Sequence, residues 1–152
     1  MVIKVKTEHP KAKLPEFQNS TDAGADVYAA RIVKRNLFRV WYGLGFKTQI
    51  PRGYYARGLS RSNISKMDLM LANGEATIDS NFRGEWQLRF NYTVRGVLLN
   101  IFTLGLATKD YKVGERIAQV IIGRKENVEF KKGKRLTKTS RGSGSFGSTG
   151  KK

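Results

Sequence analysis

Asp79 stands in the run Thr77-Ile78-Asp79-Ser80-Asn81-Phe82-Arg83-Gly84-Glu85. A carboxylate can act as a general base and polarise water for attack at phosphorus. Phe82 offers a flat ring on which a sugar or base can stack, and Gly84 permits a turn. Upstream, Asn73 presents an amide with donor and acceptor faces, suited to a nucleobase edge. The plain alternative is a β-hairpin whose polar residues face solvent.

Four other segments carry chemistry. Asp22-Ala23-Gly24-Ala25-Asp26-Val27 puts a carboxylate at a strand start behind a glycine. In Arg57-Gly58-Leu59-Ser60-Arg61-Ser62-Asn63, a guanidinium and hydroxyls enter a possible helix, and charge, donors and helix N-terminal amides suit a phosphate. In Gly114-Glu115-Arg116-Ile117-Ala118-Gln119, the glutamine lies in an apolar run and needs a partner. The last is Arg141-Gly142-Ser143-Gly144-Ser145-Phe146-Gly147-Ser148-Thr149-Gly150. Glycine amides can wrap phosphates, an aromatic can stack on a base, and a tail that closes over ligand is a lid. Each segment alone also reads as ordinary surface.

Composition narrows the chemistry. The 152 residues include no cysteine and one histidine, His9. Disulfides, thiolate metal sites, cysteine nucleophiles and multi-histidine metal sites are excluded. The formal net charge is +17, which implies polyanionic partners without choosing among nucleic acid, an anionic surface and a phosphorylated substrate. Charges interrupt the N-terminal Met-Val-Ile-Lys-Val-Lys, unlike a signal peptide. The greasiest stretch, Val97 to Ala107, contains Asn100 and is too short for a span. A soluble, cytoplasmic or otherwise intracellular protein with no membrane partner is expected.

The elements that must position these residues read as short strands. Val2–Lys6, Ala25–Ala29, Phe38–Tyr42, Phe46–Ile50, Tyr54–Arg57, Trp86–Tyr92 and Ile117–Ile122 alternate or run apolar between Gly, Pro and Asn punctuation. This pattern predicts an all-β sandwich, jelly roll or barrel. One short helix is expected within Ser62–Met70, with Ser62 or Asn63 as N-cap. Residues 1–138 read as one domain and residues 139–152 as a flexible, Gly-rich tail.

In order and spacing, these segments resemble the homotrimeric dUTPase family over nearly the whole chain. Ala23-Gly24-Ala25-Asp26, Ile78-Asp79-x-x-Phe82-Arg83-Gly84 and Gly114-x-Arg116-Ile117-Ala118-Gln119 carry the resemblance most strongly. It implies a jelly-roll (β-clip) subunit, a homotrimer with shared sites, and Mg²⁺ riding on the triphosphate of dUTP. It implies hydrolysis to dUMP and pyrophosphate, which lowers dUTP and supplies dUMP for thymidylate synthesis. Asp79 would orient the attacking water toward the α-phosphorus, and Asp26 would hold the metal through water. Arg61, Ser62, Asn63 and Gln119 would contact substrate on the phosphate side. Asn73 and Ile78 would meet uracil, and Phe82 would pack under the deoxyribose. In the tail, Arg141 would reach the γ-phosphate and Phe146 would cover uracil, with Gly144, Gly147 and Ser148 as further contacts. The chain departs from the family pattern at Phe82 (usually Tyr), Ser60 (usually Pro), and Ala76 and Ser145 (both usually Gly). Two other readings are a dCTP-deaminating relative and a nucleic-acid-binding or regulatory protein on the same scaffold. The excess charge, above all Lys131 to Lys138, motivates the second, as nonspecific nucleic-acid contact.

Overall fold

The computed structural model describes residues 1–145. Its ten strands are β1 (Lys4–Thr7), β2 (Ala25–Tyr28), β3 (Arg31–Arg35), β4 (Arg39–Gly43), β5 (Phe46–Gln49), β6 (Tyr54–Leu59), β7 (Leu69–Leu71), β8 (Ala76–Asp79), β9 (Gln87–Tyr92) and β10 (Arg116–Arg124). Alternation sets their faces. Along β9, Leu88, Phe90 and Tyr92 are buried, while Gln87, Arg89 and Asn91 lie on the other face. One sheet has the order β2-β10-β6-β8, another β3-β4-β9-β7, and β1 pairs with β5. Every strand pair is antiparallel. The core draws on both four-stranded sheets through Val27, Ala56 and Ile117 from the first and Tyr42 and Phe90 from the second. Tyr42, Phe90 and Tyr111 meet edge-on, with ring centroids 5.7–6.3 Å apart. The expected all-β class holds, as open sheets rather than a closed barrel.

The short helix expected within Ser62–Met70 is present, as a five-residue 3-10 helix, Ser62–Lys66, but the expected cap is corrected. Its N-cap is Arg61, without a side-chain cap bond, rather than Ser62 or Asn63. The chain then extends at Met67 and enters β7. Leu69 and Leu71 are buried and Met70 is exposed, so period two wins over period 3.6 there. The α-helix lies elsewhere, as α1 (Val94–Thr103), in the stretch that the sequence showed only as greasy. Thr93 caps it by accepting from Gly96 N at 3.2 Å. Leu104 (φ 50°) and Gly105 (φ 81°) end it in left-handed conformation. Strand β3 was also unread, because four of its five residues are exposed and leave no alternation.

Past Arg124 the described residues form neither strand nor helix.

Candidate active site

Strand β10 lies between β2 and β6, so Gln119 faces Asp26 on one side and Leu59 on the other. Gly24 makes this possible, because a Cβ there would sit 3.3 Å from the Gln119 Cβ and the Ile121 side chain. Asp26 is 1% exposed. One of its oxygens accepts from Arg61 Nε at 2.9 Å and the other from Arg116 Nη1 at 3.2 Å. A buried carboxylate survives only when paired in this way. Its backbone is held as well, by a two-way bridge to Glu16.

Arg61 and Asn63 line a cavity of about 720 Å³ together with Arg116, Lys109 and Lys112. Asp110 and Glu115 line it too, and Arg61 and Arg116 are paired with Asp26, so the cavity wall is mixed in charge with basic groups in excess. The 3-10 turn that carries Ser62 and Asn63 is too short to supply a helix dipole, so side chains must provide the charge. Asn63 is oriented by Tyr111, whose hydroxyl donates to Asn63 Oδ1 at 3.2 Å. Burial pushes the Tyr111 pKa up, against the opposing charge of Arg61, and so keeps the phenol a donor. Tyr111 is itself tied to β4, because its carbonyl accepts from the Tyr42 hydroxyl at 2.8 Å.

A second cavity, of about 710 Å³, holds Asn73, Ile78, Phe82 and Gly84. Strand β8 presents Ile78 to it and ends at Asp79, paired with Tyr55 of β6. The chain turns there, with Phe82 N donating to Asp79 O at 3.1 Å. Arg83 stiffens the turn by donating to the Ser80 and Phe82 carbonyls at 2.7 and 2.8 Å. The Phe82 ring lies over Gly84, where a Cβ would come within 2.5 Å of the ring. Asp79 is exposed, and among the described residues its carboxylate has no hydrogen-bond partner. Ala76 sits opposite Gly58 in the β6–β8 register, and its methyl group occupies the room that Gly58 leaves.

The same cavity exposes residues that sequence reasoning missed. Trp86 Nε1 and Asn91 Oδ1, on two of its lining residues, are buried polar atoms without a partner. Arg39, Trp41 and Arg89 extend the lining, with Arg89 stacked 4.2 Å from the Trp41 ring. The alternation of β9 was the available signal, since Gln87, Arg89 and Asn91 must share a face.

No residue lines both cavities. One chain therefore gathers Asn73, Ile78 and Phe82 in one place and Asp26, Arg61 and Asn63 in another, with Gln119 beside Asp26. Arg141 joins neither cluster: its Nε donates to Gly144 O at 3.0 Å, and Gly144 N donates back to Arg141 O at 2.9 Å. Phe146, Gly147 and Ser148 lie outside the described residues. Among the described residues there is no group of three His, Asp or Glu side chains that could cage a metal ion.

A family model described as dUTPase matches residues 10–150. The deoxyuridine 5'-triphosphate nucleotidohydrolase of Helicobacter pylori is 33% identical over 154 residues, covering 99% of this chain and 97% of that protein. That of Solibacter usitatus is 34% identical over 156 residues, with the same coverage. Among solved structures, the dUTPase of Staphylococcus bacteriophage 80alpha with dUPNHPP aligns with a TM-score of 0.79 at 23% identity, covering 98% of each chain. A mutant dUTPase of an S. aureus phage, described with a structural Mg(II) ion, aligns at 0.69 and 19% identity, covering 90% of this chain and 99% of that one. At these identities the two structures speak for the fold alone. With its family model matched over most of the sequence and relatives about a third identical end to end, this chain belongs to the dUTPase family.

Proposed function

We propose that this chain hydrolyses dUTP to dUMP and pyrophosphate, with Asp79 as the base that orients water toward the α-phosphorus. The observation that carries the assignment of Asp79 is its placement. It is an unpaired carboxylate at the end of β8, beside the cavity that holds Asn73, Ile78 and Phe82. Asn73 and the hairpin backbone read the uracil edge, and Ile78 packs against it. Phe82, lodged over Gly84, supports the deoxyribose.

Phosphates fall to the other cluster, where Arg61, Ser62, Asn63 and Gln119 bind them. Because the clusters occupy different cavities of one chain, a complete site needs a second copy, which supports the homotrimer with shared sites. Arg141 and Gly144, followed by Phe146, Gly147 and Ser148, close the site over the γ-phosphate and uracil.

The donor set fits Mg²⁺ carried by the substrate rather than a protein cage. Both Asp26 oxygens already accept from guanidinium groups, yet each keeps a lone pair for a water on the ion. The ion, when bound, neutralises phosphate charge. The chain's own work is to position water and substrate and to spread positive charge over the phosphates.

A nucleotide panel with Mg²⁺, following pyrophosphate and ammonia together, tests this reading. Pyrophosphate from dUTP, with little from dTTP, dCTP or UTP, is expected. Ammonia from dCTP would assign the deaminating relative instead. Asp79→Asn should lower turnover on the order of 10²-fold or more, and near-normal turnover would remove Asp79 from its role.

A further inference from the structure

Helix α1 is turned inside out. Val94, Leu98, Ile101 and Phe102 share one face at helical spacing, and all four are exposed. The opposite side carries Gly96, Val97 and Asn100, and Val97 packs against the core. Gly96 is the only buried residue of the helix and packs against Asp68. Asn100 Nδ2 donates to the Leu37 carbonyl at 3.0 Å, and its Oδ1 accepts from Thr108 Oγ1 at 2.8 Å. Apart from Val97, which packs inward, the large apolar side chains of the helix are thus half-exposed or exposed, while Asn100 is bonded internally.

The patch is continuous with its surroundings. Phe102 is 79% exposed, and Leu104 and Leu106 beyond the helix are 89% and 90% exposed. The bond from Asn100 sets the helix against the β3–β4 turn, whose Phe38 is also exposed. Single exposed apolar residues need no explanation, but a contiguous set marks an interaction surface.

Charge selects the occupant. Residues 29–40 and 93–108, which supply the whole patch, contain no Asp or Glu. They contribute Arg31, Lys34, Arg35, Arg39 and Arg95, of which Arg31, Arg35 and Arg95 are paired with Glu85, Asp110 and Asp68, leaving Lys34 and Arg39 without an ion pair among the described residues. The chain as a whole carries a net charge of +17, which favours an anionic occupant. An apolar ridge rimmed by basic residues fits an anionic lipid surface, where the ridge enters the headgroup boundary and the rim meets phosphate.

We propose that the outward face of α1, with Leu104 and Phe38, docks this protein peripherally on anionic membranes. No span is involved: among the described residues no helix is long and apolar enough to cross a bilayer. Leu106 borders the cavity of Arg61 and Asn63, but Leu98, Ile101 and Phe102 lie outside both cavities, so docking through them does not depend on the hydrolytic reading.

Vesicle flotation of the full chain tests the proposal. The native protein should float with phosphatidylcholine vesicles containing phosphatidylglycerol and stay behind with phosphatidylcholine alone. The double variant Leu98→Ser/Phe102→Ser should lose binding on the order of tenfold or more, with dUTP turnover unchanged. Phe102→Trp should keep binding and shift its emission to the blue when the anionic vesicles are added. Equal flotation of the double variant would mean that bulk charge alone drives binding, and would overturn the proposal. No flotation of the native chain would overturn it too. So would a higher oligomer that the double variant dissolves, or capture by an acidic protein in place of lipid.

Discussion

Asp26 organises the charged half of the site by holding two guanidinium groups at once. Replacing it by Asn removes the charge that fixes Arg61 and Arg116. A stability loss of about 1–3 kcal/mol is expected, toward the lower end because the Arg116 side chain is 40% exposed. The urea midpoint at unchanged slope measures it, and KM for dUTP should rise as Arg61 loosens. Gly84 acts differently. An alanine there pushes on the edge of the half-exposed Phe82 ring, which can swing away. Gly84→Ala should leave Tm nearly unchanged while raising KM for the deoxyribonucleotide several-fold, and thermal melting beside steady-state kinetics separates the two effects. Asp79, Asn73 and Phe82 stand out as candidates from residue type and spacing alone. The orphaned atoms of Trp86 and Asn91 were not, because whether a buried donor finds a partner depends on neighbours far away in sequence.

At the scale of elements, the segment from Thr93 to Lys109 is clamped at its base by Asp68. That carboxylate is buried, pairs with Arg95, and accepts from Lys109 N at 2.8 Å. Its backbone carbonyl accepts from Thr93 N at 2.9 Å, and its N–H donates to Lys109 O at 2.8 Å. Gly96 allows the helix to approach this clamp. A Cβ there would lie 2.8 Å from the Asp68 carbonyl and 2.9 Å from the Asp68 Cβ. Alanine brings about 1 kcal/mol of helix propensity, but a backbone clash costs about 1–3 kcal/mol. Gly96→Ala should therefore speed amide hydrogen exchange across residues 94–103 and leave β10 protected. Strands with clean alternation, such as β9, were readable. Strand β3 and helix α1 were not, because β3 is almost wholly exposed and α1 sends only Val97 of its apolar side chains against the core.

Over the whole molecule, two buried tyrosines link stability to alkaline pH. Burial, and then the charge of Asp110, push Tyr92 from its ordinary 10 up to about 12. The same two causes push Tyr42 up further. The folded protein thus favours the neutral phenols, while the unfolded chain ionises near pH 10. The stabilisation is fully present below pH 10 and is lost as pH rises through about 12. Urea midpoints should hold up to pH 10 and decline above it. In Tyr92→Phe, which removes one of the two titrating groups, that decline should be shallower.

The sequence by itself determined the class of chemistry, the family resemblance and most of the strands. All of these rest on residue type, short spacing and period-two alternation, which survive without coordinates. Asp79 was identifiable as a candidate base on that ground alone. Only the tertiary structure decided that Asn73, Ile78 and Phe82 line one cavity of the chain and Arg61 and Asn63 another, because strand pairing and packing join residues distant in sequence. It also decided which way α1 faces. An apolar stripe reads the same in sequence whether it packs on a sheet or looks outward. The inward contacts of Gly96, Val97 and Asn100 are what turn this one toward solvent.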